Sequence, residues 1–467
     1  MRNFRFLVFV TILVTAVSGF LQFPVFAQEA PPHEETTDER IQALDQKMRI
    51  LEQRLELEHE NAATKAKETP VLSAGKEGFI LKSADGDFLL RLGGILQVDE
   101  RFFIDDYQHL AADTFLLRVA RPIFEGTVFK YYDFRIMPDF GLGTTVLQDA
   151  YLDIHFWPEV RLLVGKYKTP FGIERIQNET DLLFVERALS NNLVPNRDVG
   201  LQLHGVLLNG AFDYALAVLN GDPDGGSADI DSNDDKDFAA RIFVRPFKNG
   251  GFQPLQGLGI GVASTFGKEV GSTTSPILPS FSTSGQIQLP GGSPFFKYLS
   301  GGTAATTVIA NGDHFRISPQ GYYYWGPFGL LGEYVQSSQE VSIGSTSARL
   351  TNDAWQVAAS YVLTGDAASY KGIKPRNPFD PYKGTWGAFE LTGRYSELIV
   401  DKGAFPLFAD PTKSARAARA WAVGTNWYLN SNVKFVISYE KTDFKGGAAA
   451  GGRESEKVVL SRFEIFF

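Results

Sequence analysis

From Phe79 to the carboxy-terminus, apolar and polar side chains alternate with a period of two. The final stretch, Lys457 to Phe467 (KVVLSRFEIFF), shows it most clearly. Val459, Ser461, Phe463, Ile465 and Phe467 fall on one face, and Arg462 and Glu464 on the other. Successive side chains of a strand point to opposite faces, so this segment has one greasy side and one wet side. As the edge of a soluble sheet it would be an aggregation liability. The closing strand of a membrane barrel, ending on Phe with apolar residues at alternate positions, fits it better.

The same period predicts strands near 88–103, 114–129, 132–140, 146–156, 161–167, 199–208, 211–220 and 238–247. It continues at 257–266, 314–324, 328–343, 353–364, 386–395, 418–429, 433–444 and 457–467. That is about sixteen strands, an even number, as single-chain bacterial barrels have. Short links at Tyr131, Trp157-Pro158-Glu159, Asn209-Gly210, Trp325-Gly326-Pro327 and Asn430-Ser431-Asn432 alternate with long ones at 168–198, 221–237, 267–313, 396–417 and 445–456. Asn-Gly pairs favour tight hairpins, and alternating turns and loops are the rhythm of an outer-membrane barrel. Segment 365–385 breaks the rhythm, being long where a short turn is expected. A soluble sandwich would show the same alternation with its apolar side inward. Aromatics at strand ends (Trp157, Trp325, Tyr428, Phe467) favour the membrane, where such rings form a girdle at headgroup level. The expected fold is therefore all-β: a transmembrane antiparallel β-barrel over 79–467, preceded by a short N-terminal coiled-coil helix.

Upstream, Arg2 and Arg5 precede an apolar run from Phe6 to Phe20, then Val25-Phe26-Ala27. This reads as a signal peptide over 1–27, cut after Ala27, against the alternative of an uncleaved anchor. A spacer over 28–37 leads to a helix over 38–60, capped by Thr37 or Asp38. Ile41, Leu44, Met48, Leu51 and Leu55 form a heptad seam along it. The seam suits periplasmic self-association, or a lone amphipathic helix lying on the barrel. Residues 61–78 read as a linker.

Composition narrows the function. The chain has no cysteine, which excludes a disulfide framework and thiol chemistry. A net charge of −9 argues against nucleic-acid partners. None of the six histidines has metal-ligand spacing, and no GxSxG or P-loop occurs. Gly257-Leu258-Gly259-Ile260-Gly261 is a glycine-spaced strand with no helix after it. The inward histidines, His155 and His204, have no serine partner. Neither an enzyme nor a cofactor is expected.

Gln148 to Asp153 (QDAYLD) and Val164 to Arg175 (VGKYKTPFGIER) resemble the phosphate-selective porin O/P family. So do Phe88 to Gln97, Asp198 to Gly205, Tyr361 to Asp366, Phe389 to Leu398, Val423 to Leu429 and the final strand, in family order. The resemblance implies a homotrimer of sixteen-stranded barrels in the outer membrane of a Gram-negative-type bacterium, in contact with lipid and lipopolysaccharide, each barrel with its own anion pore. Such a pore needs lumen cations, whose potential the low-dielectric wall focuses. Parity turns Arg91, Ile95, Gln97, Asp99 and Arg101 inward on the first strand. Arg118 and Arg121 have opposite parity, and both face inward only if a bulge near Arg121-Pro122 shifts the phase. Arg135, Lys166 and Arg241 are inward on later strands, while Lys168 and Arg175 open a long loop placed to narrow the lumen. The resemblance assigns residues matching Arg118, Arg175 and Arg241 to the basic constriction or the ladder toward it. Ile95 and Val119 depart from the family by replacing arginines, and Lys166 keeps a charge without the fork. General anion diffusion is therefore expected over tight phosphate or polyphosphate binding. The alternatives are a non-selective or differently specific porin, or a barrel anchor or adhesin without an open pore, using the helix and the loop 267–313. Any of the cations could instead pair with Asp139, Asp149, Asp153 or Glu390. The acidic loop Asp222 to Asp237 is either a divalent-cation site or a solvated loop.

Overall fold

A computed structural model describes residues 36–107, 111–227, 229 and 234–467. The expected signal peptide and nearly all of the spacer lie outside these residues. Two units are distinguished, dividing at Ala66 and Lys67. The first is essentially helix α1, Thr37–Glu68. It overruns the expected end at 60 because 61–68 is rich in Ala, Lys and Glu and contains no Gly or Pro before Pro70. All five seam residues are more than half exposed. The rest of the supposed linker forms a hairpin, Val71–Gly75 with Gly78–Lys82, whose second arm pairs onto the first barrel strand.

The second unit is a closed barrel of sixteen strands. They are β1 Leu89–Phe103, β2 Thr114–Val128, β3 Tyr132–Asp139, β4 Val146–Trp157, β5 Val160–Lys168, β6 Arg197–Leu207, β7 Phe212–Leu219 and β8 Asp237–Val244. The second half comprises β9 Leu258–Val270, β10 Ile309–Trp325, β11 Phe328–Ile343, β12 Thr346–Val362, β13 Ala388–Ile399, β14 Ala415–Tyr428, β15 Val433–Ala448 and β16 Glu456–Phe466. Each pairs antiparallel with the next, and β16 closes on β1.

Alternation is realised with the apolar side outward. On β1, Leu96, Val98 and Phe102 are exposed, while Gln97, Asp99 and Arg101 are at most 1% exposed. A soluble barrel would invert this arrangement, so the outer wall is built to meet hydrocarbon. Tyr428 is a correction: it was expected on the aromatic girdle, yet it is buried and its hydroxyl donates to Glu390 at 2.9 Å. Parity gives the girdle position to its neighbour Trp427, which stacks on Phe389 with ring centroids 5.6 Å apart.

Loop geometry departs further from expectation. β12 begins at Thr346 rather than 353, so β11 and β12 are joined by Gly344-Ser345 alone, with Gly344 at φ +58°. The supposed adhesive loop is shortened to 271–308 and folds inside the barrel. Its Phe281, Phe295, Phe296 and Val308 are fully buried against Phe171, Leu189 and Leu193 of the segment 169–196. Each buried Phe contributes roughly 1.5–3 kcal/mol relative to exposure, which is why a Gly- and Thr-rich loop stays in. This core fills one side of the lumen and leaves open space along β1–β6 and β16.

Candidate functional site

β5 leads into the loop 169–196, which turns into the lumen. Phe171, Ile173, Leu189, Leu193 and Val194 on it are all 1% exposed or less and need that burial. Three glutamates then fasten it to basic residues. Glu186 accepts from Arg101 at 2.9 Å and Arg118 at 2.8 Å, with Arg462 at 3.7 Å. Glu179 accepts from Arg121 at 2.8 Å and lies 3.8 Å from Arg187 and Arg197. Glu174 lies 3.5 Å from Arg394. Burial alone would raise the Glu179 carboxyl; Arg121, Lys168, Arg197 and Arg187 outweigh it and hold the group well below the usual carboxylate range.

Arg118 and Arg121 both reach this loop, so both face inward. The phase change that allows it is not at Arg121-Pro122. Gln97 sits opposite Val119 while Val98 sits opposite Leu117, which leaves Arg118 itself as the bulged residue.

Two connected sets of residues result. Arg118, Arg121, Arg175, Arg187, Arg197 and Arg462 line a cavity of about 50 Å³ together with Glu179 and Glu186. Toward the short-turn end lies a vestibule of about 700 Å³, which Arg91, Arg135, Lys168 and again Arg197 line. Arg91 and Arg135 both pair there with Glu125. The remaining predicted residues line neither space. Arg101 is fully buried and donates to the carbonyls of Gly285 at 2.9 Å and Ile287 at 2.8 Å, fastening the loop 271–308. Lys166 pairs with Asp229. Arg241 donates to Gln320 at 3.2 Å and lies over the Phe243 ring. The acidic loop is not simply solvated either: Asp224 turns inward and accepts from Arg316 at 2.6 Å.

Sequence reasoning missed Arg187, Arg197, Glu179 and Glu186 as site residues. Arg462 was legible, standing on the wet face of the terminal strand. Nothing in the spacing of the loop residues marks them.

Arg175 differs from the other arginines that line this small cavity, each of which has a carboxylate within 4.0 Å. It donates to the Asn191 carbonyl at 3.2 Å and to Asn196 Oδ1 at 3.3 Å, and no carboxylate pairs with it among the described residues. Its Nε and one terminal guanidinium nitrogen of Arg197 are buried without an acceptor. Burial, then the nearby Arg187 and Arg197, push the Arg175 pKa down. This small cavity thus holds a cationic centre with unused donors.

A sixteen-stranded barrel with an apolar outer wall, a charged lumen and a loop folded into it defines an outer-membrane porin, a channel rather than an enzyme. The chain belongs to the phosphate-selective porin O and P family, whose model matches residues 91–465. Porin O of Pseudomonas aeruginosa is 25% identical over 419 residues, covering 84% of this chain and 91% of that protein. Among solved structures, the outer-membrane channel DcaP of Acinetobacter baumannii aligns with a TM-score of 0.52 at 10% identity, covering 83% of this chain and 99% of its own. An anion-selective porin from Comamonas acidovorans aligns with a TM-score of 0.50 at 11% identity, covering 81% and 100%. These two share the fold. In such barrels the short-turn end is periplasmic.

Proposed function

We propose that this porin gives passive diffusion to anions, with inorganic phosphate and polyphosphate-like solutes among them, through the passage beside the loop 169–196. The observation that carries the reading is Arg175, a buried guanidinium with no carboxylate and an unused Nε, beside Arg187 and Arg197. A buried donor without a partner costs about 1–3 kcal/mol, which an anion's oxygens would recover. Most other lumen cations are already paired, Arg121 with both Asp139 and Glu179 for example. The site is therefore sparse: few forks remain free for a tetrahedral anion, and Ile95 and Val119 add none. General anion preference with weak phosphate block follows.

The functional unit on this reading is a homotrimer in contact with lipid and lipopolysaccharide. The exposed seam of α1 forms its periplasmic coiled coil, because an apolar stripe left in water favours association with its own copies.

The test is single-channel conductance of the refolded protein in a planar bilayer, with reversal potential in a KCl gradient and a phosphate titration. Chloride preference with block only at high phosphate supports the reading. Cation preference overturns it, and absence of any open pore would restore the anchor alternative.

A further inference from the structure

The first residues of the acidic loop, 220–227, pack against the end of the loop 169–196. The Gly225 amide donates to the Val194 carbonyl at 3.1 Å, and the Asn196 amide to the Gly226 carbonyl at 2.9 Å. The Asn196 side-chain amide donates to the Ser227 hydroxyl at 2.9 Å. The two loops are thus joined at Asn196, whose Oδ1 accepts from both Arg175 and Arg197 at 3.3 Å. Two wall residues hold the start of the acidic loop. Asp198 of β6 accepts from the Gly221 amide at 2.8 Å, and Arg316 of β10 donates to the Asp222 carbonyl at 2.5 Å.

The Asp222 side chain stands in a cluster with an excess of negative charge. Asp198 acts on it from β6, Asp237 from β8 and Glu269 from β9, with Arg316 as the opposing cation. Asp224 of the same loop accepts from Arg316 at 2.6 Å and from the Ser337 hydroxyl at 2.7 Å. His314 of β10 lies 2.7 Å from Glu269 and 3.4 Å from Asp224. All seven ionisable side chains are at most 5% exposed. Five carboxylates therefore meet one guanidinium and one imidazole, and three negative charges stay unmatched even with the imidazole protonated. A buried charge without a counter-charge takes up a proton instead. Both carboxylate oxygens of Asp222 and Oδ1 of Asp237 are buried with no donor among the described residues, so a bound proton also supplies a donor to a cluster short of them. No three of these groups are arranged to hold a metal ion, which leaves the proton as the balancing charge. Burial, then Asp198, Glu269 and Asp237, push the Asp222 pKa up to about 9 against the pull of Arg316.

We propose that Asp222 is a proton-operated latch. Protonated, it keeps residues 220–227 seated against the loop 169–196; ionised, it releases them and loosens Asn196, on which Arg175 and Arg197 rest. The inference adds regulation to the site of the anion-porin reading and rests on that reading for its effect on current, while the latch itself has a readout without current. Ionisation is disfavoured in the seated loop and free in the released one. Rising pH therefore favours release from the ordinary carboxyl value of 3.8 up to about 9, by up to tenfold per pH unit, and adds nothing above that.

The experiment follows hydrogen exchange at the Gly225 and Asn196 amides of the refolded full-length protein, as protection relative to the unfolded chain at each pH. Single-channel chloride current is recorded over the same range. In wild type, protection should fall as pH rises from neutral to about 9, and open-channel noise should rise with it. Asp222→Asn has no charge to gain and should hold both flat. Asp237→Asn removes a neighbouring charge and should make the fall shallower, which keeps the test alive if the first variant does not fold. Protection that stays flat in wild type, or falls as steeply in Asp222→Asn, overturns the latch. So does a gain of protection in millimolar calcium that Asp222→Asn abolishes, since a metal would then supply the balancing charge. Falling protection with an unchanged current overturns the link to the pore. A wild type that lacks anion preference but keeps the pH-dependent protection strikes the anion-porin reading and upholds the latch.

Discussion

Replacing Arg175 with glutamine tests the constriction most directly. Glutamine keeps a donor for the Asn191 carbonyl or Asn196, which now lie 3.2 and 3.3 Å from the guanidinium, and removes the charge and the free Nε. A charged hydrogen bond contributes about 1.5–3 kcal/mol net. The bare Coulomb attraction at about 4 Å and an effective dielectric of about 20, roughly 4 kcal/mol, is an upper bound. At about 1.4 kcal/mol per factor of ten, phosphate block of the chloride current should weaken about ten- to a hundredfold. Arg175→Lys keeps charge but not the fork, and should fall between the two. Thermal stability should not drop, because the variant relieves the repulsion by Arg187 and Arg197 and removes an unsatisfied donor. The assay is phosphate titration against chloride conductance through single refolded pores. A block constant unchanged in Arg175→Gln would refute the assignment, and a lost pore with a lowered melting point would make Arg175 a structural residue.

Two further outcomes are expected. Burial alone would raise the Glu186 carboxyl, but Arg118, Arg101 and Arg462 hold it down to about 2 against an ordinary 4.5. Its folded pKa being depressed, its stabilisation of the inward loop is fully present above about 4.5 and is lost as pH falls toward about 2; conductance and melting midpoint against pH should hold flat until below 4.5, and loop release above that value would contradict the ion-pair account. Leu44→Asp with Leu51→Asp places charges in the α1 seam and should weaken oligomer association in sedimentation while single barrels still conduct. Unchanged association would assign the oligomer contacts to the barrel alone.

The alternation of apolar and polar residues was enough to find all sixteen wall strands, with ends displaced by up to seven residues at β12. A strand's period of two is local, and reversing it would put Phe463 and Ile465 inside and Arg462 and Glu464 against lipid. For the same reason parity placed Arg135 and Arg462 on the lumen side, while it left Arg118 and Arg121 opposed until a bulge was located. The aromatic parity failed once, at Tyr428, where one residue's shift decides between girdle and lumen. What the tertiary structure alone decided is where the loops go and which cations remain free. The bulge at Arg118, the inward fall of 271–308, and the pairing of Arg101 with Glu186 join residues far apart in the chain, with no periodicity to announce them. Arg101 and Arg175 read alike in the sequence, each a cation placed to face the lumen. The fold surrounds one with carboxylates and carbonyls and leaves the other with only amide oxygens, because charge compensation is set by what arrives across the lumen.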